Sequence, residues 1–214
     1  GVAARAAAEG IPVIAYDRPF AGAKYYVSFD NVAVGRLQGQ TVLDGLEAAG
    51  VAPADATVVY IGGDPTDGNA AMFREGANEV LTKAGVVPAA EPPGAWDQAV
   101  SQTNFEQALT SLGGHVDGVW AANDTNAAGV IQVLRTNNLQ GVAVSGQDAN
   151  VAGLQNILLG WQTATVAAVK VAVALLKGET VTTDAQLDDG TPYIQVTPRL
   201  VGPEQVKDVI AAGD

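Results

Sequence analysis

The sequence predicts an α/β fold built on parallel sheet, and three observations carry that prediction. The run Thr57-Val58-Val59-Tyr60-Ile61 is apolar and β-branched, with Gly62-Gly63 stopping it, as in a strand buried on both faces. An amphipathic helix follows within a few residues: Phe73, Ala77, Val80 and Leu81 fall at i, i+4, i+7 and i+8. The same succession of strand, polar loop and helix returns from Val116 to Leu134 and from Val142 to Leu158, the rhythm that generates a parallel sheet.

The remaining elements follow in order. Val2 to Glu9 is Ala-rich and stops at Gly10, the pattern of a helix closed by glycine. Ile11 to Tyr16 reads as a buried strand, with Pro12 at its start and Asp17-Arg18 at its carboxyl end. Lys24 to Phe29 is a second short strand. Asp30-Asn31 opens a helix with Val32, Gly35, Gly39, Leu43 and Leu46 on one side, and its glycines permit close packing. Val86 to Pro88 reads as a strand after the helix that ends at Lys83-Ala84-Gly85. A proline-rich turn from Glu91 to Asp97 holds Trp96, ahead of a helix carrying Phe105, Ala108, Leu109 and Leu112. Thr163 to Lys177 reads as a helix apolar almost all round, Gly178 to Pro192 as a polar loop, and Tyr193 to Thr197 as a last strand stopped by Pro198. Pro203 starts a terminal helix through Ile210.

Composition removes several classes of function. With 214 residues, 48% of them hydrophobic and 16% charged, the chain has the apolar content of one or two compact domains and not of a disordered one. Its net charge of -12 lacks the basic footprint for nucleic acid or an anionic membrane. There is no cysteine and one histidine, His115, placed at a helix end beside Gly113-Gly114. A zinc site or a Ser-His or Cys-His nucleophile has almost nothing to be built from. The longest apolar stretch, Thr165 to Leu176, is interrupted by Lys170 and is shorter than the ~20 residues of a membrane span.

In open α/β sheets ligands bind outside the carboxyl ends of the strands. Asp64, Asp67, Asn69 and Arg74 follow the strand ending at Ile61, Asn123-Asp124 the next, and Gln147-Asp148 the third. Carboxylate and amide together suit hydroxyls, which both give and accept hydrogen bonds. Trp96 on its loop offers a platform for the apolar face of a sugar. Each has a plainer reading: Asp67 and Asn69 as helix caps, Asp17-Arg18 as a surface ion pair, Trp96 as local core. A phosphate cradle is the poorer rival, since GxxxxGK[ST] and GxGxxG are missing and two carboxylates beside a helix N-terminus repel an anion.

The segments IPVIAYDR, YYVSFDN, GGDPTDGNAAMFREG, the Trp96 loop, AANDTNAAGVIQVL, SGQDANVAG and GWQTATV, in that order, resemble the sugar-binding proteins of bacterial ABC importers, and among them the xylose binders. The resemblance runs along the whole chain. It implies a periplasmic-binding-protein-like fold of type I: two lobes, each a parallel sheet with helices on both faces, joined by three crossover strands and closing on a sugar. Residues 1–29 and 163–192 then resemble part of the N-terminal lobe, and residues 30–162 and 193–214 the C-terminal lobe. The first strands of the N-terminal lobe are expected ahead of Gly1, as a separate fragment or one lost by cleavage. The resemblance implies that Asp17 and Arg18 bind the sugar from one lobe and Asp67, Asn69, Asn123 and Asp148 from the other, with Trp96 stacking on the ring. Where xylose binders carry a lysine, this chain has Ala168. Also implied are a membrane permease as partner, a place outside the cytoplasm (in the periplasm or lipid-anchored at the outer face of the membrane), no cofactor, no metal and no chemistry. Two other classes stay open on the residues: a glycoside-active enzyme using two of Asp64, Asp67, Asp124 and Asp148, and the effector domain of a sugar-responsive repressor.

Overall fold

A computed structural model of the chain describes residues 1–167, 185–187 and 190–212. It opens with α1 (Val2–Ala8), β1 (Ile14–Tyr16) and β2 (Tyr25–Phe29). There follow α2 (Asn31–Ala48), β3 (Val58–Ile61), α3 (Gly68–Lys83), β4 (Pro88–Ala90) and α4 (Gln98–Ser111). Next come β5 (Gly118–Ala121), α5 (Asp124–Thr136), β6 (Ala143–Val144), α6 (Val151–Leu158) and β7 (Thr165–Ala167). The described elements end with β8 (Ala185–Gln186), β9 (Pro192–Val196), β10 (Arg199–Val201) and α7 (Val206–Ala212).

The chain divides into two units. The first comprises Gly1–Asp30 and Ala168–Pro198, the second Asn31–Ala167 and Arg199–Asp214. In the first unit the sheet order is β1-β2-β9-β8, with β1, β2 and β9 parallel and β8 antiparallel to β9. Tyr26 stacks on Tyr193 with ring centroids 4.7 Å apart, and the Tyr193 hydroxyl donates to the Phe29 carbonyl at 2.8 Å.

The second unit has a parallel sheet in the order β4-β3-β5-β6. Every residue of β3 and β5 is buried, because successive side chains face opposite sides and both sides are covered. Val59, Ile61, Val119 and Ala121 pack with Phe105 and Leu109 of α4 and Ile131 and Leu134 of α5. On the other face Trp120 donates to Gln38 of α2 at 3.1 Å, and a Cβ on Gly118 would touch Val42 and Leu46 of α2. The second helical layer is set by glycine. A Cβ on Gly35 would overlap the Phe73 carbonyl oxygen of α3, and one on Gly76 that of Val32, so the two backbones approach as only glycine permits. Gly76→Ala is expected to destabilise the protein by about 2 kcal/mol through overpacking, read as a lower urea midpoint at unchanged m-value.

Several expectations are corrected. The strand at Tyr193 belongs with the first unit and not with residues 30–162, because β9 pairs in parallel with β2 from Tyr26↔Tyr193 to Phe29↔Val196. The helix expected from Thr163 begins instead with β7, which pairs antiparallel with β10; a run apolar on all sides does not by itself separate helix from buried strand. Ala168, the rest of that helix and most of the loop from Gly178 lie outside the described residues, while Ala185–Gln186 within the expected loop is β8. The strand expected at Val86–Pro88 is Pro88–Ala90. Among the described residues no helix is long and apolar enough to cross a membrane, and no group of metal-ligating side chains gathers.

Candidate functional site

The loops leaving β3, β5 and β6 emerge side by side, since β3 and β5 pair in register through Ile61↔Ala121 and β5 pairs with β6. After β3, Asp67 is the N-cap of α3: its Oδ1 accepts from the Asn69 N–H at 3.0 Å. Its other oxygen, Oδ2, accepts from Trp96 Nε1 at 3.1 Å. One carboxylate therefore serves both the cap and the tryptophan. Asn69 is buried, and its Oδ1 accepts from Asn31 Nδ2 at 3.2 Å.

Trp96 is held by a loop fastened to the end of β3. Gly94 N–H donates to the Gly62 carbonyl, which also accepts from Asn126 Nδ2 at 3.0 Å. Ser101 Oγ donates to the Gly94 carbonyl at 3.2 Å, and Asn104 Nδ2 to that of Pro93 at 2.7 Å. The indole lies over Gly63, where any Cβ would collide with it, and meets Phe73 edge-on at 6.1 Å. Trp96 is thus a half-buried ring fixed on one face and one edge.

After β5, Asn123 caps α5 with Oδ1, which accepts from Asn126 N–H at 2.9 Å, and its Nδ2 donates to Asp148 Oδ2 at 3.3 Å. Asp148 is exposed, and its backbone N–H donates to Val166 of β7 at 3.0 Å. In the first unit Arg18 pairs with Asp17 at 3.2 Å, beyond the end of β1. The Asp17 carbonyl accepts from the hydroxyls of Tyr26 at 2.9 Å and Ser28 at 3.3 Å.

Backbone strain picks out the same places. Among the described residues the non-glycine positions with positive φ are Asp17 (66°), Ala95 (54°), Trp96 (58°), Asn138 (56°), Asp148 (100°) and Ala149 (52°). Only Asn138, just beyond α5, stands apart from the candidate residues or their direct neighbours. Each such conformation costs about 1–2 kcal/mol and persists where surrounding contacts over-determine it, a habit of functional loops.

Other residues singled out in the sequence take different places. Asp64 Oδ1 accepts from Thr66 N–H and hydroxyl at 2.8 and 2.7 Å, stabilising the turn. Arg74 forms an ion pair with Glu91 at 2.6 Å. Gln147 is buried. Asp124 has no exposed surface and turns away from Asn123. Its Oδ1 accepts from Gln162 Nε2 and Thr165 Oγ1, both at 2.8 Å, and its Oδ2 from Asn150 N–H at 3.0 Å. It ties α5 to the loop after β6 and to β7, out of reach of a ligand. Burial raises its pKa from 3.8 to about 6 against the opposing effect of those hydrogen bonds.

The folded state thus holds the Asp124 proton more tightly than the unfolded chain, so this group's contribution favours folding below pH 4 and is lost as pH rises through about 6. Relative to Asp124→Asn, the wild type is expected to gain up to about 3 kcal/mol of stability between pH 7.5 and pH 4. Paired urea titrations across that range check the trend.

Three contributors escape a linear reading. Gln38 of α2 is fully buried; its Nε2 donates to the Ala122 carbonyl at 2.8 Å and reaches that of Gly146 at 3.4 Å. It clasps the ends of β5 and β6, one residue before Asn123 and two before Asp148. Its signal was an amide within the apolar stripe of α2. Asn126 joins the three loop segments already described, and Asn31 touches Asn69; both read in sequence as ordinary helix-start residues.

Residues 1–180 match the family model of the periplasmic binding protein domain. The chain belongs to the periplasmic binding protein family. Within it, the chain is 36% identical to the D-xylose-binding periplasmic protein of Escherichia coli (strain K12), over 94% of this chain and 65% of that protein. It is 37% identical to the D-xylose-binding periplasmic protein of Haemophilus influenzae, over 88% of this chain and 60% of that one. It therefore spans somewhat under two thirds of the length of these relatives. A solved ABC transporter solute binding protein from Clostridium phytofermentans, with bound β-D-glucose, superimposes with a TM-score of 0.79 at 27% identity, over 99% of this chain and 75% of that one. The fold expected of the family, type I with parallel sheets and helices, is the fold of this chain.

Proposed function

We propose that this chain binds a monosaccharide, xylose or a close relative, as the solute-binding component of an ABC sugar importer, and performs no chemistry on it. The observation that carries the reading is the cluster at the carboxyl ends of β3, β5 and β6: a fixed indole hydrogen-bonded to Asp67, with Asn69, and the Asn123–Asp148 pair beside them. Carboxylates accept, amides do both, and the ring offers an apolar face, which is the mixture a pyranose needs. Asp17 and Arg18 are further sugar contacts in this reading. Relatives bearing the name D-xylose-binding protein support the choice of sugar.

The burial of Asp124 takes it out of the glycosidase alternative, because an acid–base pair must flank the scissile bond and Asp124 faces Gln162 and Thr165 instead. The partners that follow are a membrane permease and the sugar, with no nucleic acid, and the place is extracytoplasmic, in the periplasm or lipid-anchored at the outer face of the membrane. The two units correspond in this reading to part of the N-terminal lobe and to the C-terminal lobe.

The test is a tryptophan-fluorescence and calorimetric titration with D-xylose, ribose, arabinose, galactose and glucose. A saturable signal with at least one of them is expected, strongest for xylose. Folded protein that gives no heat and no fluorescence change with any would overturn the proposal.

A further inference from the structure

Asp124 is fully buried and makes none of the proposed sugar contacts, yet its carboxylate fastens the loop that carries Asp148. Successive backbone N–H groups pin that loop to the protein. Asp148 N–H donates to the Val166 carbonyl at 3.0 Å, Ala149 N–H to Thr165 Oγ1 at 3.3 Å, and Asn150 N–H to Asp124 Oδ2 at 3.0 Å. Thr165 Oγ1 in turn donates to Asp124 Oδ1 at 2.8 Å, so the bonds from Ala149 and Asn150 both lead to this one carboxylate. Asp148 and Ala149 have φ of 100° and 52°, a strained conformation that persists only where such contacts impose it.

The charge of Asp124 matters to that hold. Gln162 Nε2, Thr165 Oγ1 and Asn150 N–H all donate to it, and bonds to an ionised carboxylate are roughly twice as strong as neutral ones. A proton on Asp124 weakens them. That proton has an acceptor at hand, since Gln162 Oε1 is buried with no hydrogen-bond partner among the described residues and turning the amide presents it. The charged residues of α2, Asp148 on the loop and Arg199 on β10 are exposed, and Arg135 lies at the far end of α5. Burial and hydrogen bonds, with no neighbouring charge, govern the titration of Asp124.

We infer that Asp124 is a positioning residue: in its ionised form it fastens the strained loop after β6 and keeps Asp148 placed beside Asn123 for the sugar, so that affinity depends on pH although Asp124 never touches the ligand. This rests on the reading of Asp148 as a sugar contact. Binding then favours the ionised form, whereas folding favours the protonated one. Acidification therefore lowers affinity while this group's contribution to stability rises, a combination that a purely structural role does not give.

The test is calorimetry with D-xylose from pH 7.5 to pH 5. One unit below a pKa of about 6 roughly a tenth of the carboxyl is ionised, so wild-type affinity is expected to fall about tenfold over that range. At pH 6, titrations in two buffers of different ionisation enthalpy are expected to show protons released on binding. Asp124→Asn is expected to bind at every pH about as weakly as the wild type at pH 5, and to release none. Thr165→Val removes one bond to the ionised carboxylate and is expected to move the midpoint of the profile to higher pH. His115→Gln, which removes the chain's one histidine, is expected to leave the profile unchanged. Wild-type affinity constant from pH 7.5 to pH 5, or a fall that persists in Asp124→Asn, would overturn the assignment while leaving sugar binding intact. A wild-type chain that binds no sugar at either pH would instead remove the reading on which it rests.

Discussion

Asp67→Ala is expected to reduce xylose affinity at least about a hundredfold and to abolish the tryptophan-fluorescence response. The carboxylate has three tasks in the structure. It caps α3 through Asn69 N–H, it holds the Trp96 indole through Nε1, and in the proposed function it accepts from a sugar hydroxyl. A charge-assisted hydrogen bond to a ligand is worth about 1.5–3 kcal/mol, and loosening an aromatic platform removes a comparable amount. Together these exceed the 2.7 kcal/mol or so that a hundredfold represents. Loss of the cap should lower stability by only about 1 kcal/mol, so the variant folds and the two effects separate. Asp67→Asn is the informative companion: an amide oxygen still accepts from Trp96 or caps the helix, but its NH2 faces a donor on the other side. An intermediate affinity is expected, measured by calorimetry alongside thermal melting.

Gln38→Leu is expected to destabilise the protein by about 3–5 kcal/mol, with the m-value of urea unfolding unchanged. Leucine is close in volume, so no cavity explains the loss. What is removed is the bond from Trp120 Nε1 to Gln38 Oε1 and those from Gln38 Nε2 to the carbonyls of Ala122 and Gly146. The Gly146 carbonyl keeps its bond from Val166 N–H, but the Trp120 N–H and the Ala122 carbonyl lose theirs, and each buried group left unpaired costs about 1–3 kcal/mol. Because those carbonyls precede Asn123 and Asp148, sugar affinity in the fraction that remains folded should fall as well. Surviving affinity at wild-type level would show that the loop ends keep their geometry without the glutamine.

Much of the candidate site is legible along the chain because strand, polar loop and helix recur in a fixed order. The parallel sheet follows from that order, and the residues after each strand had to face its carboxyl end. Asp67 has two readings in sequence, cap or ligand contact, and in the structure one of its oxygens makes the cap while the other is bonded to Trp96; Asn123 is divided in the same way between α5 and Asp148. Asp124 was misjudged because adjacent residues at a helix start point to different sides, and the one beside Asn123 turns into the protein. The partner of Arg74, Glu91, lies beyond the rest of α3 and β4 and is met only in the folded chain.

The sequence by itself determined the α/β class, the helices from α2 to α6 and the positions of the loops after β3, β5 and β6, because hydrophobic period, glycine stops and capping residues are local properties. Tertiary structure decided what depended on distant partners. It paired the strand at Tyr193 with Tyr26, made the start of an apolar run into β7 by setting it against β10, and laid the Trp96 ring on Gly63. It also placed the amide of Gln38 across two strand ends and that of Asn31 against Asn69. Such bonds join groups dozens of residues apart, and only the packing of α2 on α3 and on the sheet brings them within reach.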